Sequence, residues 1–214
     1  MSRPPLPVAV LVSGYGSNLQ ALLDASAAGR LNVDFRLVAS DRADAHGLDR
    51  ARRAGISTAA IPPADFPDRG AWNAALGALL LESGARLVVL AGFMRVLGPE
   101  LVRAWRGRML NVHPSLLPLH RGLHTHRRAL AAGDRMHGAS IHFVTEELDG
   151  GPVILQARVP ILPGDDEQRL AQRVQAREHE VYPRVVGWLG AGRLAWRDEA
   201  PWLDGRRLAR PVVV

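Results

Sequence analysis

Val8–Val12 (VAVLV) is a β-branched apolar run that stops at Ser13-Gly14-Tyr15-Gly16-Ser17-Asn18, and from Leu19 to Ala28 the apolar positions recur at helical spacing. The pattern predicts a strand, a glycine turn and a helix. Phe35–Ala39 repeats the strand signal, Ala43–Ala54 the helical one, and Ile56–Ile61 reads as a third short strand ended by Pro62-Pro63. Ala71–Glu82 is helical up to Ser83-Gly84, and Leu87–Leu90 is a continuous apolar strand of the kind buried on both faces of a parallel sheet. Alternating β and α segments with right-handed crossovers predict a doubly wound, Rossmann-like N-terminal half.

The second half has a different texture. Met109–Val112 reads as a strand that runs into Pro114–Gly122, whose prolines and glycine forbid regular structure; long ordered loops of this kind are often functional. His124–Ala132 is helical and ends at Gly133, and Ala139–Val144 and Val153–Val159 carry strand signals around the loop Thr145–Pro152. Pairing those two strands antiparallel would make the central sheet mixed. Asp165–Gly187 is the longest helical stretch, with Asp165-Asp166-Glu167 at its anion-favouring start, and a small hairpin is expected near Leu194–Trp202. Without repeats, low-complexity tracts or a linker, the expectation is one α/β domain over residues 1–214.

Composition narrows the chemistry. The 214 residues are 47% hydrophobic and 22% charged, which excludes disorder as the main state. Cys is absent, so disulfides, a cysteine nucleophile and Cys-ligated metal centres are excluded within this sequence. No apolar run approaches the ~20 residues that cross a bilayer, and Met1–Pro7 has no signal-peptide segment, so a soluble, cytoplasmic protein is expected. The formal charge of +6 arises from 27 Arg and no Lys. Arg favours anionic ligands through its rigid fork, but these side chains are spread from Arg3 to Arg210 among acids, which reads as a solvated surface rather than a nucleic-acid stripe.

Three clusters carry candidate chemistry. In Gly14-Tyr15-Gly16-Ser17-Asn18, glycines would let backbone N–H groups at a helix start approach a phosphate, with Ser17 and Asn18 as side-chain donors or a helix cap. The third glycine of a dinucleotide fingerprint is missing, since Leu19 stands there, and Asp41 reads as a loop residue rather than a ribose ligand; a plain strand-to-helix turn is the competing reading. In Asn111-Val112-His113, residues two apart share one face of a strand, so an amide able to stabilise an oxyanion and an imidazole able to move protons can meet one ligand. In Asp149-Gly150-Gly151-Pro152 a turn carboxylate could fold back towards His113 and orient it. Spacing alone leaves open whether these clusters meet or are separate structural features. The histidines His113, His120, His124 and His126 lack HExxH spacing, so no metal is expected, and no G-x-S-x-G elbow supports a serine hydrolase.

The stretches VLVSGYGSNLQALLDA, VVLAGFMRVL, NVHPSLLP, GLHTHRRAL, HGASIHFVTEELDGGPVILQARVPI and REHEVYPRVV resemble the phosphoribosylglycinamide formyltransferase (GAR transformylase) family, folate-dependent enzymes of purine synthesis, from about Val8 to Leu203. The resemblance implies a formyltransferase fold, with residues of about 1–105 as the nucleotide- and phosphate-binding half and about 106–205 as the catalytic and folate-binding half. It implies transfer of the formyl group from 10-formyltetrahydrofolate to the glycine amine of 5'-phosphoribosylglycinamide, with both as small-molecule partners and neither metal, nucleic acid nor membrane involved. Asn111, His113 and Asp149 match the family's catalytic residues. Gly16, Ser17, Asn18 and Glu178 match its phosphate and ribose contacts. Arg69, Met94, Arg95, Val96 and Leu97, together with Asn111, match its folate side; plain core is the competing reading for Met94, Val96 and Leu97. Two departures stand out: Tyr15 where the family often has Asn, and Leu119-His120-Arg121-Gly122 where it often has Lys-Tyr-Pro-Gly, a change that bears on the order of that loop.

Two rivals are set against this reading. Related formyltransferases carry a C-terminal tRNA-binding domain and formyltetrahydrofolate hydrolases an N-terminal regulatory one, and the chain is expected to have room for neither. An Arg-rich nucleic-acid module would need clustered basic residues interleaved with aromatics, which are only 5% of this chain and scattered.

Overall fold

A computed structural model describes residues 3–214. In chain order the elements are β1 (Leu6–Val12), α1 (Ser17–Ala27), β2 (Val33–Ser40), α2 (His46–Arg53), β3 (Thr58–Ala60), α3 (Arg69–Glu82), β4 (Leu87–Leu90), α4 (Pro99–Ala104), β5 (Met109–His113), α5 (Thr125–Ala131), β6 (Met136–Phe143), β7 (Val153–Pro160), α6 (Glu167–Gly190), β8 (Leu194–Arg197), β9 (Ala200–Leu203), β10 (Arg206–Arg207) and β11 (Val212–Val213). Eight strands form one mixed sheet in the order β11-β7-β6-β5-β4-β1-β2-β3. From β5 to β3 every neighbour is parallel, whereas β6 is antiparallel to both β5 and β7. The expected mixed α/β sheet is present. The C-terminal hairpin is larger than expected, a separate three-stranded sheet of β8, β9 and β10.

Alternation along the buried strands divides the core between two faces, as a pleated strand must. Val8, Val10 and Val12 of β1, with Leu87 and Val89 of β4, pack against Leu19 and Leu22 of α1 and Val174, Val181 and Val185 of α6. Ala9 and Leu11, with Val88 and Leu90, face Trp72, Leu76 and Leu80 of α3 and Leu101 of α4. Asp68 caps α3 by accepting from Ala71 N at 2.8 Å, and Asp166 caps α6 by accepting from Arg169 N at 2.8 Å, each satisfying a free first-turn donor. Among the described residues no helix is long and apolar enough to cross a membrane.

One shifted boundary and two elements absent from the sequence pattern bear on the site and the core. α2 begins at His46 rather than Ala43, because residues 41–45 stay non-helical and bring Gly47 against the first glycine turn, where Gly47 N donates to Gly14 O at 3.0 Å. α4 has only six residues, too few for a periodic signal, and packs with its buried Leu101 and Val102 into the second face. β11 has two residues and runs parallel to β7.

Candidate functional site

β5 ends beside the strand-direction reversal, and its register with β6 sets Asn111 opposite His142 and His113 opposite Ser140. Asn111 and His113, two residues apart, stand on the same face. The loop from β6 to β7 returns Asp149 to them: its Oδ2 lies 3.4 Å from His113 Nδ1 and accepts from Gly122 N at 2.9 Å, with both side chains only 7% exposed. Asp149 adopts φ +49°, a conformation Asp tolerates better than most residues. The turn closes tightly because Gly151 has no Cβ; one built there would sit 1.8 Å from Phe143 O. The structure thus brings Asn111, His113 and Asp149 together.

The segment 114–124 is held over this cluster by β6 and β7. Ser140 Oγ donates to Ser115 O at 2.7 Å and accepts from Leu117 N at 3.0 Å, while Gln156 Nε2 donates to Leu117 O at 2.8 Å. His113 Nε2 donates to His120 O at 3.1 Å; a carbonyl only accepts, so this nitrogen carries the proton. His120 is in turn tied through Nε2 to Asp134 Oδ2 at 2.6 Å. The departure at Leu119–Gly122 therefore comes with contacts of its own.

Across β4, the first glycine turn leads into α1. Gly16 is the N-cap in the left-handed region at φ +74°, where a Cβ would lie 2.7 Å from Gly47 Cα. Neither Ser17 nor Asn18 caps the helix by a side chain, which leaves its first-turn N–H groups open as an anion cradle. Asn18 Nδ2 instead donates to Glu178 Oε2 on α6 at 2.8 Å, and Ser17 Oγ accepts from Gln175 Nε2 at 3.1 Å. Burial pushes the Glu178 carboxyl up to about 7, with the Asn18 bond pulling the other way. Asn18 Oδ1 is buried without a hydrogen-bond partner. Tyr15 is exposed and stacks under Arg50, whose Cζ lies 4.4 Å above the ring while its Nε donates to Tyr15 O at 2.9 Å. A hollow of about 380 Å³ beside the turn is lined by Tyr15, Ser17, Asp24, Arg30, Arg50 and His179, so two guanidiniums and one carboxylate edge it.

The folate-side candidates separate into two groups. The segment after β4 leaves the sheet next to Asn111, since Leu90 pairs with it, and Ser13 Oγ accepts from Met94 N at 2.8 Å. On that segment Met94 is 66% and Val96 55% exposed, open apolar surface rather than core, whereas Leu97 is buried in the cluster that holds Trp72, Leu76 and Phe93. Arg95 is already committed, its Nε donating to buried Asp41 Oδ2 at 2.8 Å, and Arg69 donates to Val96 O at 2.9 Å. Both guanidiniums therefore brace the segment as the structure stands. Arg69 also stands at the rim of a groove of about 640 Å³ between α3 and α4, which lies away from the Asn111 cluster.

Sequence reasoning missed His142, Gln175 and the Asp41–Arg95 pair. The signal for His142 was the second two-apart polar pair, Ser140 and His142, which an antiparallel register sets against Asn111 and His113. Among the described residues no group of three His, Cys, Asp or Glu side chains could hold a metal ion.

Comparison with known proteins follows the same lines. The formyl transferase family model matches residues 6–186. A curated relative, phosphoribosylglycinamide formyltransferase of Escherichia coli (strain K12), is 52% identical over 94% of this chain and 95% of its own length. Among solved structures, the phosphoribosylglycinamide formyltransferase of Coxiella burnetii in complex with CHES superposes with a TM-score of 0.94 at 48% identity, covering 98% of this chain and 99% of that one. Glycinamide ribonucleotide transformylase 1 of Symbiobacterium toebii gives 0.90 at 44% identity, covering 94% and 95%.

Proposed function

The chain belongs to the formyl transferase family, and we propose that it transfers the formyl group of 10-formyltetrahydrofolate to the glycine amine of 5'-phosphoribosylglycinamide, giving 5'-phosphoribosyl-N-formylglycinamide and tetrahydrofolate in purine biosynthesis. The observation that carries this reading is the convergence of an amide donor, an imidazole and a buried carboxylate at the end of β5, with His113 Nδ1 3.4 Å from Asp149 Oδ2. That set suits acyl transfer to an amine.

In this mechanism the substrate's neutral amine forms a bond to the formyl carbon, and the carbonyl oxygen takes up the electron pair. An N–H of Asn111 stabilises that oxyanion. His113, with acceptors at both ring nitrogens in His120 O and Asp149, adds positive charge beside it and serves as proton carrier. As the tetrahedral centre collapses, the carbon's bond to the folate nitrogen breaks; the proton lost by the attacking amine reaches the leaving nitrogen through His113 and Asp149. The sugar phosphate is assigned to the N–H groups at Gly16, Ser17 and Asn18, and the ribose hydroxyls to Glu178, supported by the open helix start and the orphan acceptor at Asn18. The folate is assigned to the segment Met94–Leu97 beside Asn111, exposed at Met94 and Val96, with Arg69 and Arg95 near its carboxylated tail once they exchange their present partners.

The test is the absorbance change as 10-formyltetrahydrofolate loses its formyl group, with and without the nucleotide. Deformylation that requires glycinamide ribonucleotide and yields its formyl derivative supports the transferase; deformylation without it indicates a hydrolase, and no reaction from folded protein rejects the reading.

A further inference from the structure

Asn111 can serve an oxyanion only if its amide nitrogen, not its oxygen, is held in the right direction, and nothing in the covalent structure of a side-chain amide decides between the two. The partner that decides is His142. Its ring is 2% exposed on β6, and Nδ1 lies 2.9 Å from Phe143 O, an acceptor that requires a proton on Nδ1. In the neutral ring the remaining nitrogen, Nε2, is then a lone-pair acceptor, and it lies 3.3 Å from Asn111 Nδ2. One N–H of Asn111 donates to it, which fixes the amide plane and leaves the second N–H of the same nitrogen to the reacting centre.

We propose that His142 is a positioning residue for the formyl transfer, held as the Nδ1–H tautomer by the Phe143 carbonyl so that its Nε2 locks the orientation of the Asn111 amide. A proton on Nε2 would reverse the arrangement, because a donor there would draw the Asn111 oxygen and turn the N–H groups away. Burial opposes that state by lowering the ring's basicity. The charged or titratable groups facing the ring are Asp149, whose Oδ1 lies 3.8 Å from Nε2 and whose charge favours a proton on the ring, and His113 and Arg121, which oppose it; burial outweighs Asp149 and keeps the ring's basicity lowered. A hydrogen-bonded neutral imidazole is also more rigid than water in the same place, so the cost of orienting Asn111 is met in the folded protein rather than at the moment of reaction.

The proposal rests on the catalytic reading of Asn111, and the experiment separates the two. Nitrogen-15 NMR of the imidazoles in the unsubstituted protein is expected to show His142 neutral with its proton on Nδ1; a proton on Nε2 at neutral pH would overturn the proposal whatever the activity. In kinetics, His142→Leu removes the acceptor and is expected to lower kcat about 10- to 100-fold, with both KM values changed less than about threefold. His142→Gln places an acceptor oxygen near the lost Nε2 and is expected to recover kcat to within about fivefold of the original. A folded His142→Leu protein with unchanged kcat, or equal losses in both variants, refutes the positioning role. If Asn111→Ala leaves kcat unchanged while the NMR shows the Nδ1–H tautomer, the catalytic reading fails rather than the tautomer.

Discussion

Glu178→Gln separates the cost of keeping a carboxylate at the proposed nucleotide site from its use. Glu178 is buried on α6, with Asn18 as its hydrogen-bond donor, and burial raises its carboxyl from 4.5 to about 7. A carboxyl raised in the folded state binds its proton more tightly than in the unfolded chain, so stability is full below the unfolded value and is lost as pH rises between the two. At about 1.36 kcal/mol per pH unit, the gap amounts to about 3 kcal/mol by pH 8 and about 2 kcal/mol at pH 6. The Gln amide has nearly the same shape and no charge, and every other titrating group is common to both proteins and cancels in the difference. Urea unfolding should therefore find the two proteins within about 1 kcal/mol at pH 5 and the variant about 3 kcal/mol more stable at pH 8, on the order of 6–12 °C in Tm. The same variant should bind the nucleotide more weakly, seen as a raised KM, because the ionised acceptor is gone. A stability difference that does not change with pH would refute the reasoning, because it would mean that the carboxylate is solvated or paired in the folded protein.

Four further outcomes follow from the same geometry. Asn111→Ala and His113→Ala should each lower kcat by about 100-fold or more with the fold intact by circular dichroism, and near-normal turnover in either would remove that residue from the chemistry. Asp149→Asn should lower kcat at least about tenfold with a changed pH–rate profile, since it neutralises the carboxylate facing His113; an unchanged profile would argue against the pairing. Gly16→Ala meets both a left-handed backbone and the Gly47 Cα, so it should cost about 1–3 kcal/mol in unfolding and raise the nucleotide KM with kcat less affected; wild-type stability would contradict that packing. Tyr182→Phe removes a buried hydroxyl shared between Leu90 O at 3.0 Å and Leu110 O at 3.2 Å, and should cost about 1 kcal/mol in urea unfolding, with no loss arguing that those carbonyls need no such partner.

The elements with continuous apolar runs or long helical periods were legible in the sequence because burial on one or both faces dictates their residues. β1, β4, α3 and α6 are of this kind, and so is the strand that carries Asn111 and His113. α4 and β11 were not, since six and two residues hold too little pattern to distinguish them from loop. At the site, the three clusters could be named from residue type, but their meeting depends on pairings between residues far apart in the chain. Asp149 reaches His113 across 36 positions by way of a loop, and Arg95 reaches Asp41 across 54, so local periodicity carried no sign of either. The second pair changes the reading of Arg95, which free of context looks like an anion receptor and in the fold braces the segment beside it.

The reversal of strand direction at β5 explains why the chemistry sits where it does. In a wholly parallel sheet the C-terminal end of a strand is flanked only by other C-terminal ends and the loops that follow them, and ligands gather there. Because β6 runs the other way, the end of β5 is flanked instead by the interior of a strand, whose side chains are fixed by the ladder on both sides. Ser140 uses that position to hold the 114–124 segment, and His142 uses it to hold Asn111. The loop leaving β6 turns back where Gly150 and Gly151 have no Cβ to collide with Glu147 and Phe143 O, and Asp149 comes to lie beside His113. The proposed nucleotide site draws on the parallel part of the sheet through the helix start at Gly16, and on the Glu178 face of α6. Exchanging Asn111 and His113 in the double variant Asn111→His/His113→Asn should therefore not restore activity: the register would set an imidazole against His142 and an amide against Ser140 and His120 O, so neither group would keep the partner that orients it. Recovery of kcat to within about tenfold of the original would show that orientation by β6 is dispensable.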